Sequence, residues 1–356
     1  MVKIYGDLSV KIDCEVGAFG NLKANGTALS TVSNTTNETE PSKPGGFEHP
    51  SLSILSPGVH AFFVIIYLMV FIIGASGNSL VCFILGRKSQ LKKGDVFIVS
   101  LAIADLIACI IWPLHMITYH SYTYSAWFFQ PGTQAAFFFV FYTTLMVSSW
   151  QLLLISIDRY WAITKLIKWQ RISMTKKVAT AVFSWVLAAC VKFPLTWRMN
   201  FGISDEGYKI YLMVWTCLGW IIPLIIVSVL YTLSIKKLKS QAVIKDKSET
   251  AMRRREENQR VVKMFIIIVG LYFIFTIPHS IIDLFRYIDN KSDAVVVLHE
   301  CSVIIVLFNS CTNPFIYARM HRDVNSFVVG AWRKVKGKKK YITESTTEGA
   351  SAETDI

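Results

Sequence analysis

The chain has 356 residues, of which 53% are hydrophobic, 13% aromatic and only 17% charged, and its formal net charge is +13. Soluble domains carry about 25% charged residues, so this composition excludes an ordinary water-soluble globule. The positive balance also excludes a nucleic-acid surface as its explanation, because the basic residues interrupt long apolar runs instead of forming a patch.

Residues 1–57 are polar and carry three N-x-[ST] sequons, at Asn25, Asn34 and Asn37; a fourth lies at Asn290. Residues 1–20 lack an apolar signal-peptide core, so the first apolar run is predicted to insert as its own anchor. Seven such runs follow, at about 59–85, 96–119, 135–157, 178–197, 210–235, 262–286 and 295–318. Each is long enough to cross a hydrocarbon core of about 30 Å. Only helices that satisfy their own backbone, packed together, accommodate so many crossings. The prediction is all-α: a seven-transmembrane helix bundle over 58–335, an extracellular, glycosylated, flexible 1–57, and a disordered cytoplasmic tail, 336–356.

With the N-terminus outside, the inner face carries 28 of the 37 Lys and Arg against 11 Asp and Glu, a net +17. The outer face carries 9 against 12, a net −3, so the orientation obeys the positive-inside rule. All four sequons fall on the outer side. Of the seven cysteines only Cys14 lies clearly in an aqueous segment, and no disulfide or metal pattern is visible.

Within the spans, polar residues stand out. Asp105 lies near the middle of span 2, where an ionisable group is a functional candidate. Asn78 in span 1, Ser148 in span 3, and Asn309, Ser310 and Asn313 in span 7 are its candidate partners. Residue chemistry alone fits a small-cation or proton site and plain interhelical hydrogen bonding equally well. Span 3 closes on Asp158-Arg159, an ion pair where the membrane helix meets water. Pro113, Pro194, Pro223, Pro278 and Pro314 interrupt spans and mark kinks.

After span 7, Val324, Phe327, Val328 and Trp332 recur at helical spacing, which predicts a short amphipathic eighth helix on the membrane. Residues 333–340 add six basic side chains suited to anionic membrane lipid. The tail mixes hydroxyls with acids and ends Thr354-Asp355-Ile356, a pattern that suits kinases, arrestin and a PDZ protein.

Taken together, Asn78 in GNSLV, Asp105 in LAIAD, Asp158-Arg159-Tyr160, Trp185, Pro223 with Tyr231, Pro278, and Asn313-Pro314-Phe315-Ile316-Tyr317 supply one motif set per span, in order. Over roughly 58–335 the chain resembles rhodopsin-like (class A) G-protein-coupled receptors, with a flavour of neuropeptide receptors in FNSCTNPFIYA. The resemblance implies that Asp158 restrains Arg159 until span 6 swings outward and Arg159 meets a heterotrimeric G protein. It further implies G-protein contacts at Leu166 and Ile167 and in the loop 236–260, and inward-turning tyrosines at Tyr231 and Tyr317. Asn78, Asp105, Ser148, Asn309, Ser310 and Asn313 resemble the allosteric sodium site, with no obligatory cofactor.

The chain also departs from that pattern. Gln134 stands where relatives place an outer cysteine, and residues 198–214 contain none, so no external disulfide is expected. Thr276 replaces the usual tryptophan before Pro278, Phe275 the usual cysteine, Tyr272 a phenylalanine, and Ser149 an isoleucine. Asn258, beside Glu257, occupies the position of a usual acid, which implies a weaker off-state clamp and ligand-independent signalling.

Phe141 stands where amine receptors place an aspartate, and Leu307 where opsins place their lysine, so neither an amine nor retinal is the expected ligand. The outer cavity is predicted to be lined by Trp112, His115, Tyr119, Phe141, Tyr142, Leu145, Lys192, Tyr211, Trp215, His279, Asp283, Arg286, His299 and Val303. This aromatic cup with a mixed-charge rim suits an extracellular peptide better than a small molecule; His279 and His299 taken singly read as packing residues. Enzyme motifs such as HExxH or GxSxG do not occur. A seven-span transporter using Asp105 remains the weaker alternative, since no inverted repeat is seen.

Overall fold

The computed structural model describes residues 56–87, 91–120, 131–201, 205–243, 249–288 and 293–334. The sequons, Cys14 and the tail beyond 334 lie outside the described residues. Among those described, seven helices are long and apolar enough to cross a membrane.

Span 1 is Pro57–Gly86, started by a proline in its first turn, where the missing N–H is harmless. Span 2 is Val96–His120, span 3 Pro131–Thr164 and span 4 Met174–Phe201. Span 5 runs Asp205–Thr216, a π-helical turn at Cys217–Ile221, then Ile222–Val243. Span 6 is Glu249–Ile288 and span 7 Asp293–Met320. Residues 322–334 are helical, with Val324 buried and Phe327 and Trp332 exposed, in line with the amphipathic spacing.

Two elements differ from expectation. The inner loop expected over 236–260 is mostly helix, because span 5 runs on to Val243 and span 6 begins at Glu249. Its Lys, Arg, Glu, Gln and Ala are strong helix formers, and Glu249 and Arg253 pair across one turn at 2.6 Å. The link between spans 3 and 4 forms a short helix of its own, Leu166–Arg171.

Spans 2, 3 and 7 are the most enclosed, while spans 1, 4 and 5 present much of their surface outward. Phe62, Ile72, Phe183, Ile225 and Ile274 are all exposed, as lipid-facing positions should be. Span 7 packs against spans 1, 2 and 6, and span 3 against spans 2, 4 and 5. Span 1 approaches span 7 closely at Gly77: a Cβ there would lie 2.9 Å from the Pro314 ring.

The interior has two principal apolar layers. The outer one joins Phe63, Tyr67, Trp112, Phe141, Leu145 and Leu307. The inner one joins Leu85, Ile98, Leu152, Phe265, Ile268 and Tyr317. Along spans 1, 2, 3 and 7, Asn78, Asp105, Ser148 and Asn313 fall between the two sets. The polar cluster is therefore sealed from both sides by hydrocarbon.

Candidate functional site

Asp105 is fully buried and takes hydrogen bonds from three side chains on two other spans. Ser148 Oγ and Ser310 Oγ donate to Oδ1 at 3.1 and 2.8 Å, and Asn313 Nδ2 donates to Oδ2 at 2.7 Å. Asn78 Nδ2 adds span 1 by donating to the Ser310 carbonyl at 3.1 Å. Burying a carboxylate without such donors is prohibitive, so this set is what makes an acid tolerable there. The expected residues converge, with one exception: Asn309 is buried but its Oδ1 has no partner. The Oδ1 atoms of Asn78 and Asn313 are likewise buried and unpartnered. The cluster thus holds a carboxylate and, on Asn78 and Asn313, two spare amide oxygens, groups of the kind that hard cations favour.

At the inner end of span 3, Asp158 and Arg159 form an ion pair without a hydrogen bond. Their nearest oxygen and nitrogen are 3.6 Å apart, outside hydrogen-bond range. Arg159 Nη2 donates instead to the Gly94 carbonyl at 2.5 Å. Gly94 permits that approach, since a Cβ would stand 2.6 Å from the same nitrogen. Asp158 Oδ1 receives Lys177 Nζ from span 4 and the Trp169 indole N–H from the short loop helix, the latter at 2.9 Å. Asp158 is thus shared between two cations, with Lys177 nearer than Arg159.

Gly94, Trp169 and Lys177 were not singled out in the sequence. Lys177 counts among the inner-face Lys and Arg and stands one residue before the apolar run that begins at 178, so nothing in the sequence marks it as buried.

Arg159 borders a cavity of about 450 Å³ lined also by Lys92, Arg260, Met264, Phe265 and Arg322. Glu256 and Glu257 of span 6 are on its wall, next to Asn258 in sequence. Leu166 and Ile167 are exposed on the loop helix, Tyr160 is half-buried, and Pro314 lies inside the span 7 helix. Tyr231 and Tyr317 are buried, and neither hydroxyl has a partner. Such orphaned groups are rare in packed interiors.

Tyr272 stacks on Trp220 with ring centres 5.7 Å apart, Thr276 is buried with a free hydroxyl, and Pro278 lies inside the span 6 helix. Ser149 donates to the Gly219 carbonyl at 2.6 Å and Trp150 to the Leu218 carbonyl at 3.1 Å.

Of the expected outer lining, Trp112, Phe141, Tyr142, Leu145 and Val303 share one cluster, with Trp112 and Phe141 stacked at 4.2 Å. His115 stacks on Phe137, and Tyr119 packs edge-on against His120. Trp215 lies apart, beneath the buried Lys192 ammonium, and Tyr211 is also beside that ammonium, at 5.9 Å. His279 bonds Ser302 at 3.0 Å and lies against His299, which suits the packing interpretation. The side chains of Asp283 and Arg286 lie outside the described residues. A direct His60–His120 contact at 3.0 Å and a Tyr67–Glu300 bond at 3.0 Å were not anticipated. The six cysteines among the described residues are free thiols.

A hinged seven-span bundle with a buried carboxylate cluster and an inner arginine beside a cavity defines a class of membrane receptor. Residues 77–317 match the family described as 7 transmembrane receptor (rhodopsin family), and the chain belongs to it. It is 28% identical over 275 residues to galanin receptor 2a of Danio rerio, covering 71% of this chain and 73% of that one. It is 30% identical over 307 residues to the type-1 angiotensin II receptor of Meleagris gallopavo, covering 76% and 81%. Squid rhodopsin shares the fold, with a TM-score of 0.67 at 19% identity over 79% of this chain and 87% of that one. The chain is a multi-pass receptor of the plasma membrane, from a family of receptors and not of enzymes.

Proposed function

We propose that the protein binds an extracellular peptide and activates a heterotrimeric G protein by outward movement of span 6. The observation that carries this reading is Arg159 on the wall of the inner cavity, between the start of span 2 and the inner turns of span 6. A guanidinium is permanently charged and offers five donors, so a cavity that opens around it presents a ready docking point for a helix end with free carbonyls. Leu166 and Ile167 extend the contact from the loop helix. The peptide class is supported by two relatives named for galanin and angiotensin II, and by the aromatic outer lining. The test is Arg159→Ala at matched surface density: coupling to every member of a G-protein sensor panel should vanish, and full coupling would refute the reading.

The Asp105 cluster fits an allosteric Na⁺, which Asp105 and Ser148 would hold with the spare amide oxygens of Asn78 and Asn313 in the same cluster and Asn309 as a further candidate. Such an ion would neutralise the carboxylate and favour the closed bundle. In the same reading the tail takes kinase phosphorylation and arrestin, its terminus a PDZ protein, residues 333–340 anionic lipid, and Asn25, Asn34, Asn37 and Asn290 glycans. The N-terminus faces outward.

A further inference from the structure

Lys177 has only 3% of its side chain exposed, although it carries an ammonium group. Such a group is retained in an interior only with good partners. It has three of them: the Asp158 carboxylate, the Lys93 carbonyl at 3.0 Å, and the Trp169 ring 4.5 Å beneath it. Trp169 in turn donates to the same Asp158 oxygen. Two donors thus converge on Oδ1, while Oδ2, the side nearer Arg159, makes no hydrogen bond. A carboxylate already neutralised by one cation attracts a second one less. Arg159 is correspondingly turned to the Gly94 carbonyl.

We infer that Lys177 is a positioning residue that draws Asp158 away from Arg159 and so keeps the receptor's basal activity high, with Trp169 carrying the restraint to the second inner loop. The inference rests on the G-protein reading of Arg159. The sign is what separates it from a bland role. If Lys177 merely ties spans 3 and 4 together, removing it loosens the bundle. If it competes for Asp158, removing it returns the carboxylate to Arg159 and quiets the receptor.

The experiment compares basal G-protein sensor output at matched surface density for wild type, Lys177→Met, Lys177→Arg, Trp169→Phe and Arg159→Ala. Lys177→Met should lower basal output about threefold or more, because the ion pair it removes is buried. Trp169→Phe keeps the ring but loses the N–H, so it should lower output less. Lys177→Arg should restore the wild-type level. In an Asp158→Asn background, Lys177→Met should have no further effect, as a double-mutant cycle demands of two residues acting through one contact.

A second readout does not depend on the basal signal. A fluorine label at Met252→Cys, on the exposed inner extension of span 6, is read by NMR in nanodiscs with Cys14, Cys190 and Cys217 replaced by alanine. Lys177→Met should depopulate the outward span 6 resonance. Output or outward population equal to or above wild type overturns the inference, as does an undiminished effect with Asp158→Asn present. Full coupling by Arg159→Ala would instead sink the underlying reading, so the two failures are distinguishable.

Discussion

Ser149 Oγ donates a 2.6 Å hydrogen bond to the carbonyl of Gly219, the residue four positions before Pro223. A proline cannot supply the N–H that this carbonyl would receive in a regular helix. The kink of span 5 is therefore completed by a hydroxyl from span 3, at a position where relatives often carry isoleucine. Trp150 treats the neighbouring Leu218 carbonyl in the same way, beside the π-helical turn. The departure in span 3 and the irregularity in span 5 are two halves of one arrangement.

Removing that hydroxyl leaves a buried carbonyl without a donor, a loss of about 1–3 kcal/mol. Ser149→Ala should lower the thermal midpoint of the purified receptor in nanodiscs, and Ser149→Thr should retain most of it. A Ser149→Ala midpoint equal to wild type would show that water or another donor already serves Gly219.

Asp105 is the only ionisable member of its hydrogen-bonded cluster, so it should govern any response to Na⁺. Wild-type receptor should be stabilised against heating by NaCl relative to choline chloride, and Asp105→Asn should lose that difference while remaining folded. Equal stabilisation of both proteins would remove Asp105 from cation binding.

At the inner face, Gly94→Ala places a methyl group 2.6 Å from where Arg159 Nη2 now lies. The guanidinium is the far end of a flexible side chain, so it should move and the fold should persist. With the Gly94 carbonyl given up, Arg159 is freer to enter the cavity, and basal output should rise about twofold or more, the scale of one lost charge-assisted hydrogen bond after resolvation. Output at or below wild type at equal surface density would contradict this.

Gly77 presents the opposite case. A Cβ there would sit 2.9 Å from the Pro314 ring, which is held by its own helix and cannot swing away. Gly77→Val should force spans 1 and 7 apart, at about 1–3 kcal/mol for overpacking, and cut surface delivery sharply. Normal delivery and normal melting would refute the close-approach argument.

Lys92 and Asp323 join the first inner loop to the helix after span 7 at 2.7 Å, with the lysine side chain 57% exposed. The bond from Asp323 raises the Lys92 amine above its usual range. A raised amine contributes stability below its unfolded value, about 10.4, and loses it only as pH rises through the folded value. Lys92→Ala should therefore change melting by a small amount, no more than about 1 kcal/mol for an exposed pair, and equally at pH 6 and pH 8. A strongly pH-dependent difference would point to another partner.

The spans were legible because lipid imposes a one-dimensional rule: every backbone group must be satisfied internally, so length and hydropathy suffice. Asp105 and its donors were legible because any polar side chain in such a run stands out. The inner helices of 236–260 were not, since charge there reads equally as a loop or as an exposed helix. Nor was Lys177, whose charge fits the general inner-face excess of Lys and Arg and carries no mark of burial.

Sequence alone determined that this chain crosses the membrane seven times and which residues of spans 1, 2, 3 and 7 are too polar for lipid. Those are properties of single helices against a fixed solvent. Tertiary structure decided that Lys177 rather than Arg159 is the cation bonded to Asp158, that Ser149 completes Pro223, and that Gly94 receives the arginine. Each of those pairings joins segments far apart in the chain, and only the packed arrangement of helices sets which donor reaches which acceptor first.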